Sequence, residues 1–78
     1  MQQWRDYIAL DPAILVGKPV VKGTRVSVEQ ILDHLAAGWS FEEITDNYPG
    51  VALDAIRACL AYAKEAVGHE RAFPAAHQ

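Results

Sequence analysis

The chain has 78 residues, a net charge of −3, 51% hydrophobic and 22% charged residues, and a single cysteine, Cys59. That is enough apolar content for one small domain with a single modest core, and too much for a chain disordered over most of its length. One thiol excludes a disulfide framework and fits a reducing compartment.

Met1-Gln2-Gln3-Trp4-Arg5-Asp6 has no apolar signal core, and no later stretch is long enough to span a bilayer, so a cytoplasmic location is expected. Trp4 to Leu10 is short and rich in strand formers, and Asp11-Pro12 breaks it. Val20-Val21 reads as a second short strand. Two such pieces make a marginal sheet alone, so they are expected to pair with a second copy or to lie on the helices. A domain this short without disulfides also gains from self-association. A homodimer is therefore expected, with Tyr7, Ile8, Val20 and Val21 as contact residues.

The stretch Gly17 to Val26, GKPVVKGTRV, is the most heavily punctuated. A P-loop needs G-x-x-x-x-G-K-[ST]; here the lysine follows the first glycine and Thr24-Arg25 follow the second, so the nucleotide reading fails. The alternative is an architectural segment: Gly17 and Gly23 permit turns, Val20-Val21 form a strand, and Thr24 and Arg25 lock the approach to a helix through backbone or carboxylate partners.

Helical punctuation follows. Ser27-Val28-Glu29-Gln30 reads as a capping box, with Val26 and Ile31 as its hydrophobic staple, and Gly38 closes the helix. Ser40-Phe41-Glu42-Glu43 repeats the device with Trp39 and Ile44, and Pro49 stops that helix near Asn47. A third helix from about Ala52 shows Leu53, Ile56, Leu60, Ala63 and Val67 on its expected core face. A second stripe of Ala55, Ala58, Cys59 and Tyr62 is small and apolar, which nominates Ala58 and Tyr62 as partner contacts. The predicted helices cover about 28–37, 41–47 and 52–67 within one domain spanning 1–67, with short strands in 4–26 and a flexible tail at 68–78. The expected fold is mainly α, a three-helix helix-turn-helix with short N-terminal β-strands.

Charge is uneven. Up to Val28 there are four basic and two acidic residues; from Glu29 onward there are three basic and eight acidic. Contact with nucleic acid would fall on Lys18, Lys22 and Arg25, joined by Arg57 on the third helix. The structural alternative has Arg25 paired with Glu29 or Glu43 and the lysines solvated. His34, His69 and His77 are too scattered for a metal site. Glu42, Glu43 and Asp46 read as a solvated helix face. No nucleophile–base pair is readable, so neither an enzyme nor a cofactor is expected.

Taken together, G-K-P-x-x-x-G-T-R, A-A-G-W-S-x-E-E-I, Y-P and a closing A-Y-A resemble the small bacterial family catalogued as domain of unknown function 433, over roughly Ile8 to Lys64. The resemblance implies a homeodomain-like fold and a VapB-like antitoxin of a type II toxin–antitoxin module. It further implies a PIN-like ribonuclease toxin as partner and operator DNA bound as a dimer. The chain departs from that pattern at Ala52, where relatives often carry a capping Thr or Ser. A protein-interaction adaptor on the same scaffold, without DNA contact, is the other reading, because the third helix is poor in basic residues.

Overall fold

The computed structural model describes residues 3–68. In chain order they form a 3-10 turn at Trp4–Asp6, strand β1 (Ile8–Ala9), a second 3-10 turn at Leu15–Gly17, strand β2 (Val20–Val21), and helices α1 (Val28–Ala36), α2 (Phe41–Asn47) and α3 (Leu53–Gly68). The fold is mainly α, three helices with one small antiparallel sheet, as the punctuation predicts. Of the expected 68–78 tail, Gly68 instead ends α3, and 69–78 lie outside the described residues.

The strands need no second copy. β1 pairs with β2 of the same chain, Ile8 opposite Val21 and Ala9 opposite Val20. Ile8, Val20 and Val21 are all buried. The reversal is made by an unusual turn: Leu15, Val16 and Gly17 adopt successive left-handed conformations (φ 48°, 56° and 81°). Gly17 N–H donates to the Ile14 carbonyl and Lys18 N–H to that of Leu15. Left-handed geometry costs a residue with a side chain on the order of 1–2 kcal/mol, and Val16 recovers none of it through burial, being 97% exposed.

α1 begins where Ser27 Oγ accepts the Gln30 N–H at 3.0 Å. The reciprocal half of the expected box is not made, because Gln30 Nε2 donates to Tyr48 Oη instead. At its other end Trp39 N–H reaches the His34 carbonyl and Gly38 N–H that of Leu35, with Gly38 at φ 97°. That is a Schellman closure, and its left-handed position suits glycine. α2 carries the complete box: Glu43 N–H donates to Ser40 Oγ at 3.1 Å and Ser40 N–H to Glu43 Oε1 at 2.7 Å.

α3 sits rotated from its expected orientation. Ile56 is fully buried, and it is joined by Ala55, Ala58 and Cys59, the stripe nominated for a partner. Leu53, Leu60 and Val67, expected in the core, are 43%, 40% and 66% exposed. The small side chains let the helix backbone approach α1, β1 and the N-terminal turn. Tyr62 meets the Trp4 ring edge-on at 4.8 Å. Ile8, Val21, Val28, Ile31, Ile44 and Val51 complete the core.

Candidate interaction surface

GKPVVKGTRV is a tightly closed turn. Thr24 Oγ1 donates to the Val21 carbonyl at 2.8 Å and accepts the Val26 N–H at 3.0 Å. Val21 N–H donates to the Val26 carbonyl, Lys22 N–H to that of Tyr7, and Val28 N–H to that of Pro19. Gly23 takes φ 80°, the left-handed value that a turn at this point requires. A Cβ at Gly50 would stand 3.1 Å from the Thr24 methyl, so the turn also lies against the α2–α3 connection. Backbone and threonine hold it, leaving the charged side chains outside.

Of the cations nominated for nucleic acid, Lys18, solvated in the structural alternative, pairs with Glu29 at 3.1 Å. The Val28–Pro19 bond is the reason, since it brings residue 18 alongside the first turn of α1. Arg25, which that alternative pairs with Glu29 or Glu43, is exposed and forms no ion pair among the described residues; Lys22 is likewise exposed and unpaired among them. Arg57 stands 3.5 Å from Asp54, one turn earlier on α3. Both of these pairs are largely solvent-exposed and contribute little to stability. Lys22 and Arg25 thus share one turn, while Arg57 lies apart on α3.

The side chains nominated as partner contacts mostly face inward. Ile8, Val20, Val21 and Ala58 are buried, and Tyr7 and Tyr62 are half-buried against the same core. What the sequence reading missed is the outward side of α3. Leu53, Leu60 and Val67 recur every seven residues, and that spacing was the available signal.

Also missed is a cluster at the junction of α1 with the α2–α3 connection. Gln30 Nε2 donates to Tyr48 Oη at 3.0 Å, and the same hydroxyl is hydrogen-bonded to His34 Nε2 at 2.8 Å, the imidazole tautomer setting which of the two donates. The His34 ring stacks on Trp39 with centroids 4.0 Å apart. His34 is therefore a satisfied structural residue. Cys59 is buried, and desolvation pushes its thiol up to about 11, so it stays protonated and unreactive near neutral pH.

An open groove of about 170 Å³ between the N-terminal turn and α3 is lined by Gln3, Trp4, Arg57, Ala58 and Ala61. It gathers no acid–base pair. Among the described residues, no group of three or more His, Cys, Asp or Glu is arranged to hold a metal ion. No helix among them is long and apolar enough to cross a membrane.

The chain belongs to the family described as "Protein of unknown function (DUF433)", whose profile matches residues 8–63. It is 38% identical over 60 residues to the uncharacterized protein y4eO of Sinorhizobium fredii, covering 77% of this chain and 27% of that one. Among solved structures it is similar to a DUF433 member protein from Anabaena variabilis, with a TM-score of 0.74 at 23% identity over 78% of this chain and 60% of the other. It is also similar to Rv2018 of Mycobacterium tuberculosis, with a TM-score of 0.65 at 39% identity over 74% of this chain and 27% of the other. The chain thus spans about a quarter of the length of y4eO and of Rv2018.

Proposed function

We propose that this chain is an antitoxin-like, non-enzymatic module of the cytoplasm that neutralises a PIN-like ribonuclease toxin and binds operator DNA as a homodimer. The observation that carries the DNA part is the pairing of Lys22 and Arg25. Both are exposed, neither is committed to a carboxylate among the described residues, and both project from a turn whose backbone is held by Thr24. On an otherwise acidic chain, two exposed cations on a hydrogen-bonded turn are suited to phosphate. Arg57, with Asp54 beside it, and Lys18, with Glu29, are weaker candidates.

A second reading, an adaptor that binds protein and not DNA, draws on the exposed leucines of α3, since an apolar surface gains nothing against a phosphate backbone.

The test is co-expression with the adjacent open reading frame, followed by fluorescence anisotropy on DNA from the gene's own upstream region across a salt series. Lys22→Ala and Arg25→Ala are each expected to reduce the slope of log affinity against log salt by about one. Binding that is absent, or present but indifferent to both substitutions, removes the DNA assignment. Failure of the chain to suppress the ribonuclease activity of its co-expressed neighbour removes the antitoxin one.

A further inference from the structure

The turn that carries Lys22 and Arg25 divides its backbone donors between the fold and the outside. The N–H groups of Lys22, Thr24 and Val26 are bonded within the chain, to the Tyr7 carbonyl, the Val21 carbonyl and Thr24 Oγ1. Those of Gly23 and Arg25, the residues in between, have no hydrogen-bond partner among the described residues. Both residues are exposed. A Cβ at Gly23 would meet no atom within 4 Å beyond its chain neighbours, so the space at that position is open. The spare donors thus belong to the same four-residue stretch as two side-chain cations that form no ion pair among the described residues.

A spare amide on an exposed turn ordinarily bonds to water. Two features set this pair apart. The turn is tied from inside by Thr24, whose hydroxyl donates to the Val21 carbonyl and accepts the Val26 N–H, so an arriving anion breaks none of its bonds. Positive charge is also supplied on both sides of Gly23, by Lys22 and Arg25. Arginine, lysine and backbone N–H groups together are the donor set with which proteins hold nucleic-acid phosphate. A carboxylate, by contrast, is met by a guanidinium alone through two parallel bonds. Phosphate oxygens are the same beside every base, so contact with them fixes position and carries no sequence information.

We infer that the turn from Lys22 to Arg25 is a phosphate site, in which the Gly23 and Arg25 N–H groups join the Lys22 and Arg25 side chains to hold nucleic-acid backbone phosphate whatever the base sequence. This rests on the reading of Lys22 and Arg25 as phosphate contacts and deepens it. The turn positions the chain on nucleic acid, and selection of an operator falls to other residues.

The full ¹⁵N-labelled chain is titrated separately with inorganic phosphate, acetate and chloride at matched ionic strength, and amide chemical shifts are followed. It is then titrated with two DNA duplexes, one from the gene's own upstream region and one of unrelated sequence. Inorganic phosphate is expected to move the Gly23 and Arg25 amide protons downfield with saturation, and acetate and chloride to leave them in place. Both duplexes are expected to move the same two amides in the same direction. Lys22→Ala, an exposed change that keeps the backbone bonds of the turn, is expected to weaken the two duplexes by the same factor, to within about twofold.

Equal shifts with acetate or chloride would overturn the inference, as would phosphate shifts that are absent or confined to other amides. A Lys22→Ala loss limited to the upstream duplex would overturn it too, by making Lys22 a base contact. Duplex binding whose salt slope depends on Lys22 and Arg25, yet leaves both amides unmoved, keeps the DNA reading and overturns this site. Saturable phosphate shifts with no binding of either duplex overturn nucleic acid as the source of the phosphate and remove the DNA reading with it. Toxin suppression is untouched by any of these outcomes.

Discussion

The two sides of α3 invert the usual association of size with burial. The inner side carries Ala55, Ala58 and Cys59 with one large residue, Ile56; the outer side carries Leu53, Leu60 and Val67. Fully burying a leucine or valine stabilises by about 1.5–3 kcal/mol, so side-chain transfer alone would have turned the helix the other way. The small side chains win because they let α3 lie close against α1, β1 and the N-terminal turn. There Trp4 Nε1 donates to Glu65 Oε1 at 3.2 Å, the Trp4 ring meets Tyr62, and the Arg5 guanidinium sits 4.4 Å from the Trp4 centroid. Fit against neighbours, rather than bulk apolarity, sets the rotation of this helix.

That contrast can be broken by mutation. Ile56→Ala is expected to cost about 2–5 kcal/mol, the transfer loss plus a cavity that a close-packed interior closes only partly. Leu60→Ala is expected to stay within about 0.5 kcal/mol, as surface changes do. Urea unfolding of both variants checks the pair; equal losses would mean that α3 is rotated in solution. Ala58→Leu tests the inner side from the opposite direction. It adds volume where the helix approaches its neighbours and is expected to cost about 1–3 kcal/mol, with the Trp4 fluorescence altered. A wild-type midpoint for that variant would show slack where close approach is argued.

The smallest effect expected concerns Cys59. Its folded thiol titrates at about 11, against an ordinary value of 9.0, because burial penalises the thiolate. Up to the unfolded value both states keep the proton and nothing is lost. Between about 9 and about 11 only the unfolded chain releases it, so stability falls as pH rises through that window. Cys59→Ala removes this component, and its unfolding midpoint is expected to decline less steeply than the wild type's over the same range. Parallel declines in the two proteins would show that the thiol is not shielded.

Helix limits were legible in the sequence because their signals are local. Ser27, Ser40, Gly38 and Pro49 act on backbone within a few residues of themselves, and the structure begins and ends α1 and α2 beside them. The remainder depended on distance. Gln30 could return to its own helix start or reach Tyr48, 18 residues on, and nothing near Gln30 decides between them. Both stripes of α3 satisfy helical periodicity, so its rotation could not be chosen without knowing that the N-terminal turn packs on it. The pairing of Ile8 with Val21 rests on a left-handed turn through Leu15 and Val16, which residues of those types do not announce. Of the candidate site, the composition located the basic turn. That Lys18 takes Glu29 follows from the Pro19–Val28 bond and hence from tertiary geometry.

The Tyr48 hydroxyl joins Gln30 and His34, and the His34 ring lies on Trp39. All four residues fall between positions 30 and 48, whereas the Trp4–Glu65 contact closes a separation of 61 residues. Short loops close fast and at little entropic cost, and long ones close late. The α1–α2 corner can therefore assemble first, with the hairpin and α3 folding onto it afterwards. Stopped-flow kinetics give this order a signature: Tyr48→Phe slows refolding, and Trp4→Phe leaves refolding alone and speeds unfolding. The reverse assignment of the two rates would place the nucleus at the chain's ends.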